Sequence, residues 1–147
     1  MEGFVIKNSS RNNLKQIGDK IILNLIKKDV KAKYRIIGNY IFLETNEDII
    51  YNNIIKQEIH KGKITTSKKE DIFEEIKELI SIIEKPESFA IKVDRKGEHK
   101  YTSTELAKEV AGAPFEKWPN IKVDLDNPDL EINVQIINNR SIIYLRD

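Results

Sequence analysis

Residues 89–108 read FAIKVDRKGEHKYTSTELAK. Phe89, Ile91 and Val93 alternate with Ala90, Lys92 and Asp94, the period of a strand with one buried face. Arg95-Lys96-Gly97 turns the chain, and Thr102 with Glu105 three residues on is the pattern of a capping box that opens a helix. The short link between strand and helix holds Arg95, Lys96, His99, Lys100 and Tyr101. Positive charge, rings and hydroxyls are therefore gathered at the end of a sheet. Loops presented by a rigid scaffold are where function tends to sit.

On the N-terminal side of this unit, Ser67 and Glu70 form a second capping-box pattern. The helix it opens carries Ile72, Phe73, Ile76, Leu79, Ile80 and Ile83 and is stopped by Pro86. Further back, Phe4-Val5-Ile6 is a short strand. Ser9 or Ser10 caps a helix with Leu14, Ile17, Ile21 and Leu25 on one face. Gly18 inside it costs roughly 1 kcal/mol relative to alanine. Tyr34–Ile37 and Tyr40–Leu43 are separated only by Gly38-Asn39, a tight hairpin. Asn46 caps a helix carrying Ile49, Ile50, Ile54 and Ile55, and Lys63-Ile64-Thr65 returns as a strand. The order strand, helix, strand, strand, helix, strand is the ferredoxin-like pattern.

On the C-terminal side, Leu106, Ala107, Val110 and Ala111 give the helix after Thr102 a narrow apolar face. Gly112 and Pro114 interrupt it. Leu130, Ile132, Val134 and Ile136 alternate with Glu131, Asn133, Gln135 and Ile137. Asn138-Asn139 then turns the chain into Ile142–Leu145, completing a hairpin.

The totals exclude much chemistry. The chain has 147 residues and no cysteine, so disulfides, iron–sulfur clusters, thiol catalysis and thiolate zinc sites are ruled out. His60 and His99 are its only histidines, too few for a histidine-rich metal site. No glycines are spaced for a phosphate-cradling loop or dinucleotide fingerprint, and no serine sits in a nucleophile elbow. Asp124, Asp126 and Asp129 resemble the start of a calcium loop. Pro128 occupies a ligand position, however, and Gln135 stands where a bidentate glutamate belongs, so turn capping is the expected role. No cofactor and no catalytic constellation is expected. No apolar run approaches the ~20 residues of a membrane span, and the N-terminus lacks a signal-peptide layout. A cytoplasmic protein with no membrane partner is the expectation. The net charge of +1, from 25 basic and 24 acidic side chains, does not advertise a nucleic-acid binder, but one basic face can be offset by acidic faces elsewhere. DNA is not an expected partner.

FAIKVDRKGEHKYTSTELAKEVAGA, followed by IKVDLDNPDLEINVQI, resembles a THUMP domain, the RNA-binding module of thiouridine synthases, RNA methyltransferases and pseudouridine synthases. The likeness runs from Ile72 to Leu145, through R-K-G-x-H, T-S-x-E and V-D-L-x-N-P-D. It implies an α+β chain in which a ferredoxin-like domain, residues 1–66, precedes a THUMP α/β domain, residues 67–147. It also implies recognition of transfer RNA, through the acceptor stem and its single-stranded CCA end in several members. The RNA-binding positions it carries over are Lys92, Arg95, Lys96, His99 and Lys100, with Ser103 at the helix start; Lys122 and Arg140 are added from their place near the same sheet. Pro114 departs from the continuous helix of the family, so the helix is expected to bend or end near Gly112.

Three roles follow. The first, implied by a similarity to stand-alone archaeal THUMP proteins of the kind that assist tRNA cytidine acetylation, is an adaptor that presents tRNA to a separate modifying enzyme acting in trans, with that acetylation as the implied reaction. The second is the N-terminal part of a larger thiouridine synthase or methyltransferase. The third is a protein-interaction module in which the apolar strand Ile142–Leu145 is a pairing edge.

Overall fold

The computed structural model describes residues 2–7, 13–45 and 58–146. The chain forms two compact units, Met1–Lys61 and Gly62–Asp147. No helix among the described residues is long and apolar enough to cross a membrane.

The first unit holds β1 (Glu2–Lys7), α1 (Leu14–Lys27), β2 (Ala32–Ile37) and β3 (Tyr40–Thr45). β3 lies between the other two strands, antiparallel to each, with Phe4 opposite Leu43 and Ile37 opposite Tyr40. Gly38 and Asn39 make the two-residue turn, and Gly38 supplies the required positive φ of 60°. Leu14, Ile21 and Leu25 of α1 pack with Phe4, Ile6, Ile41 and Leu43, as the helical period demands. Gly18 is explained by packing rather than propensity. A Cβ there would meet the Tyr34 ring at 2.5 Å, so glycine lets β2 approach the helix. The Tyr34 hydroxyl donates to Asp19 Oδ1 at 2.7 Å, a bond that, with burial and the Asp19 charge, pushes its pKa up.

The cap at Ser9 or Ser10 and the helix over Ile49–Ile55 lie outside the described residues. α1 begins after Asn13, which has a left-handed φ of 68° and makes no side-chain cap bond. The returning strand is β4 (Ile59–Thr66). From Gly62 to Thr66 it pairs antiparallel with the last strand of the chain.

The second unit continues with α2 (Lys69–Ile80), β5 (Ser88–Lys96), α3 (Ser103–Val110), α4 (Gly112–Lys117), β6 (Lys122–Val123), β7 (Leu130–Ile137) and β8 (Arg140–Arg146). Its strand order is β4-β8-β7-β5-β6. β5 is parallel to both β6 and β7, while β8 is antiparallel to β7 and β4. The unit is therefore a mixed α/β layer. Ile72, Ile76, Leu79 and Ile80 of α2 and Leu106 and Val110 of α3 cover Phe89, Leu130, Ile132, Val134 and Ile136. Each such fully buried side chain contributes roughly 1.5–3 kcal/mol by leaving water.

Three local expectations change. β8 is paired on both sides, so Ile142–Leu145 is an interior strand and not a free edge. Hydrogen-bonding groups already used by two neighbours cannot template a third. α2 ends at Ile80 rather than running to Pro86. Lys117 Nζ donates to the carbonyls of Ile80 and Ser81 at 2.7 and 2.5 Å, satisfying acceptors that a helix end leaves free. At the other end of α2, the N-cap is Lys68 and not Ser67, with no side-chain capping bond; Thr66 Oγ1 accepts from Lys68 N at 3.1 Å and donates to Asp71 Oδ2 at 2.5 Å. The interruption near Gly112 is present, with α3 giving way to α4 at Ala111.

Candidate nucleic-acid interface

The strands decide which cations meet. Side chains alternate across a strand, so consecutive residues of β5 face opposite ways. Arg95 lies on the side of Phe89, Ile91 and Val93, beneath the helices, while Lys92 and Lys96 lie on the other side. Lys96 pairs with Ile137, Ile137 with Arg140, and Arg140 with Thr66. These four form one cross-strand row at the end of the sheet. Lys96 and Arg140 are two strands apart, about 10 Å.

Several elements converge on this end. Gly97 has φ 104°, and a Cβ on it would meet Asn138 Oδ1 at 2.6 Å; only glycine lets the loop lie against the β7–β8 turn. Asn138 N donates to Lys96 O at 2.9 Å, and Ser67 N donates to Asn139 O at 3.1 Å. The Tyr101 hydroxyl donates to Ser67 O. The starts of α2 and α3 are thereby tied to one turn. Thr102 caps α3 through its side chain, accepting from Glu105 N at 3.1 Å, the half of the expected capping box that the structure displays. Ser103 is the first residue of that helix, where free backbone amides favour an anion.

Arg95 and His99 are bonded to each other, Nη1 to Nδ1, at 2.9 Å. The His99 ring stacks on Tyr101 with centroids 5.5 Å apart. Tyr101 is buried in the core rather than free to stack on a base. Burial pushes its pKa up, opposed by the charges of Arg95 and Lys69.

Lys96, Lys100 and Arg140 are exposed and form no ion pair among the described residues. Lys68, which the sequence reading did not single out, shares both properties beside Ser67. The signal for it was available: it stands where a strand hands over to a helix, immediately after Thr66-Ser67. Lys85, Lys108 and Lys122 are likewise exposed with no ion pair among the described residues, but other cations of the unit are engaged. Lys63 is buried and paired with Glu75 at 3.1 Å and with Glu78, Lys69 pairs with Glu109 at 3.0 Å, and Lys117 holds the end of α2.

Two of the expected positions lie elsewhere. Lys122 is opposite Ser88, at the far end of β5 and on the order of 25 Å from Lys96. Lys92 sits mid-strand, and its ammonium donates to Leu125 O at 2.6 Å, turned away from the cluster. Around that far end, Asp129 Oδ2 accepts from Glu87 N at 3.0 Å. Asp124 Oδ1 accepts from Asp126 N and Asn127 N at 3.1 and 3.0 Å. Asp124 caps a turn, as expected, while Asp129 ties the turn to the start of β5.

The family model described as THUMP domain matches residues 67–146. A tRNA sulfurtransferase of Pyrobaculum aerophilum is 40% identical over 81 residues, covering 55% of this chain and 16% of that protein. A tRNA sulfurtransferase of Vibrio campbellii is 36% identical over 70 residues, covering 48% of this chain and 14% of that protein. The chain thus spans about one seventh of the length of these relatives. Among solved structures, a 4-thiouridine synthetase–RNA complex with bound ATP superposes with a TM-score of 0.74 at 16% identity. The match covers 99% of this chain and 41% of that one, and shows a shared fold. The matched family segment makes up more than half of the 147 residues, and the chain belongs to the THUMP-domain family.

Proposed function

We propose that this chain is a tRNA-binding unit that holds RNA for modification chemistry performed outside residues 1–147. The carrying observation is the set of exposed cations, Lys68, Lys96, Lys100 and Arg140, that gather around one sheet end and form no ion pair among the described residues. Polynucleotide affinity comes chiefly from neutralising phosphates, and these side chains are free to do so. Arg95 and Ser103 adjoin them, while Lys92 and Lys122 stand outside the footprint. The unit itself does no catalysis; it contributes by positioning. Residues 1–66 act as a ferredoxin-like companion to the RNA reader, and the protein works in the cytoplasm, where tRNA is modified.

The names of the relatives favour sulfur transfer and a larger enzyme, with this chain corresponding to its RNA-binding part. The adaptor arrangement, with a separate cytidine acetyltransferase acting in trans, is the reading that the resemblance to stand-alone THUMP proteins supports. Co-purification separates them: an acetyltransferase recovered with the tagged chain and tRNA favours the adaptor.

Binding itself is tested by titrating tRNA with and without its CCA tail. Loss of the tail should weaken binding about fivefold or more, since stacking of each unpaired base is worth about 1–3 kcal/mol. Equal affinity for the trimmed RNA would replace end recognition by recognition of duplex shape. Absence of binding to either RNA would overturn the proposal.

A further inference from the structure

His99 carries a role that follows from its partners rather than from its charge. A guanidinium N–H can only donate, so His99 Nδ1 must accept from Arg95 Nη1 at 2.9 Å. A backbone carbonyl can only accept, so His99 Nε2 must carry the hydrogen it gives to Asn138 O at 2.6 Å. Both bonds are satisfied by one species, the neutral ring protonated at Nε2. The ring is half-buried and stacked on Tyr101, with an interplanar angle of 17°. Tyr101 in turn is anchored to Ser67 O. His99 therefore links the end of β5, the β7–β8 turn and the start of α2.

We propose that His99 is a positioning residue of the RNA site, acting as a neutral bridge that aims the Arg95 guanidinium, rather than a cation that touches phosphate. This rests on the tRNA-binding reading above. Arg95 needs such a bridge: its Nε is buried without a hydrogen-bond partner among the described residues, and the bond to His99 holds the direction of its planar fork. A long side chain held in one rotamer loses less freedom when it meets its ligand.

The test is a double-mutant cycle on tRNA affinity, with Arg95→Ala, His99→Ala and the pair, alongside the wild-type protein. Arg95→Ala should weaken binding about tenfold, the scale of one hydrogen bond to a charged group, and His99→Ala about threefold, the scale of one side chain no longer held in place. The pair should be no weaker than Arg95→Ala alone. His99→Asn, which keeps an acceptor near the Nδ1 position, should recover part of the loss. The salt slope of His99→Ala should match the wild type, because no phosphate contact is removed.

Additive losses, or a lowered salt slope in His99→Ala, would overturn the proposal in favour of direct contact. Full affinity in His99→Ala with a weakened Arg95→Ala would overturn it while leaving tRNA binding intact. If the wild-type protein binds no tRNA, both readings fall together. The imidazole 15N spectrum of the free protein reads the bridge itself: a single Nε2–H tautomer is expected, and an Nδ1–H or averaged ring overturns the geometry.

Discussion

The two ends of β5 are both polar, but they use their polar groups differently. At the Ser88 end, Asp129 and Asp124 spend their oxygens on backbone amides, and Lys92 donates its ammonium to Leu125 O. Lys122 there is exposed with no ion pair among the described residues, but the other polar groups are taken. At the Lys96 end, the backbone satisfies itself through Asn138, Asn139 and Ser67, which leaves the side chains of Lys96, Lys100, Arg140 and Lys68 unclaimed. A polar cluster that closes its own hydrogen bonds builds a turn; one that leaves its charges open presents a surface. Charge counting along the chain cannot make this distinction, because Lys92 and Lys96 look alike until their partners are known.

The largest effect should come from inverting the open end. Lys96→Glu, Lys100→Glu and Arg140→Glu together should lower tRNA affinity on the order of 100-fold at low salt. They should also flatten the dependence of log K on log salt by about 2 to 2.7, from three lost phosphate contacts. An unchanged slope would move the RNA surface elsewhere.

A smaller effect is expected where a lysine of the same unit is closed off. Lys63→Met should cost about 2 kcal/mol, less than a fully buried pair because Glu78 is largely exposed. Burial opposes the Lys63 charge, but Glu78 and Glu75 outweigh it and raise its pKa. Lys63 in turn holds the Glu78 carboxyl below its ordinary value. A depressed carboxylate stabilises above its unfolded pKa and loses that contribution as pH falls through the folded value. The gap between wild type and variant, read by urea denaturation, should therefore narrow on acidification. The raised Lys63 pKa places its own loss only in strongly alkaline solution. A gap independent of pH would sink this account of the pair.

The smallest effects belong to the closed end. Asp129→Ala should cost about 1 kcal/mol of stability through the lost bond to Glu87 N, with tRNA affinity unchanged. Lys122→Glu should leave affinity and stability alike. A clear loss of RNA binding in either variant would break the contrast between the two ends.

Much of the fold was legible from local rules. Alternation over Phe89–Val93 and Leu130–Ile136 identified β5 and β7. Thr102 with Glu105 located the start of α3, and Pro114 announced its interruption. Asn138-Asn139 and Gly38-Asn39 marked both tight turns. Where expectation and structure part, the deciding partner is far away in sequence. α2 stops at Ile80 because Lys117 reaches its carbonyls. Ile142–Leu145 is interior because β4 lies beside it.

The sequence by itself determined the periods, the turns, the missing chemistry and the family likeness, since each depends on residues within a few positions of one another or on residue type alone. Only the tertiary structure decided which cations are neighbours. Strand pairing sets Lys96 in a row with Arg140, 44 positions away along the chain, and sends Lys122 to the opposite end through its pairing beside Ser88. It also gave His99 the Arg95 guanidinium and the Asn138 carbonyl as partners, and neither its residue type nor its place in the sequence records which donor or acceptor a ring nitrogen faces.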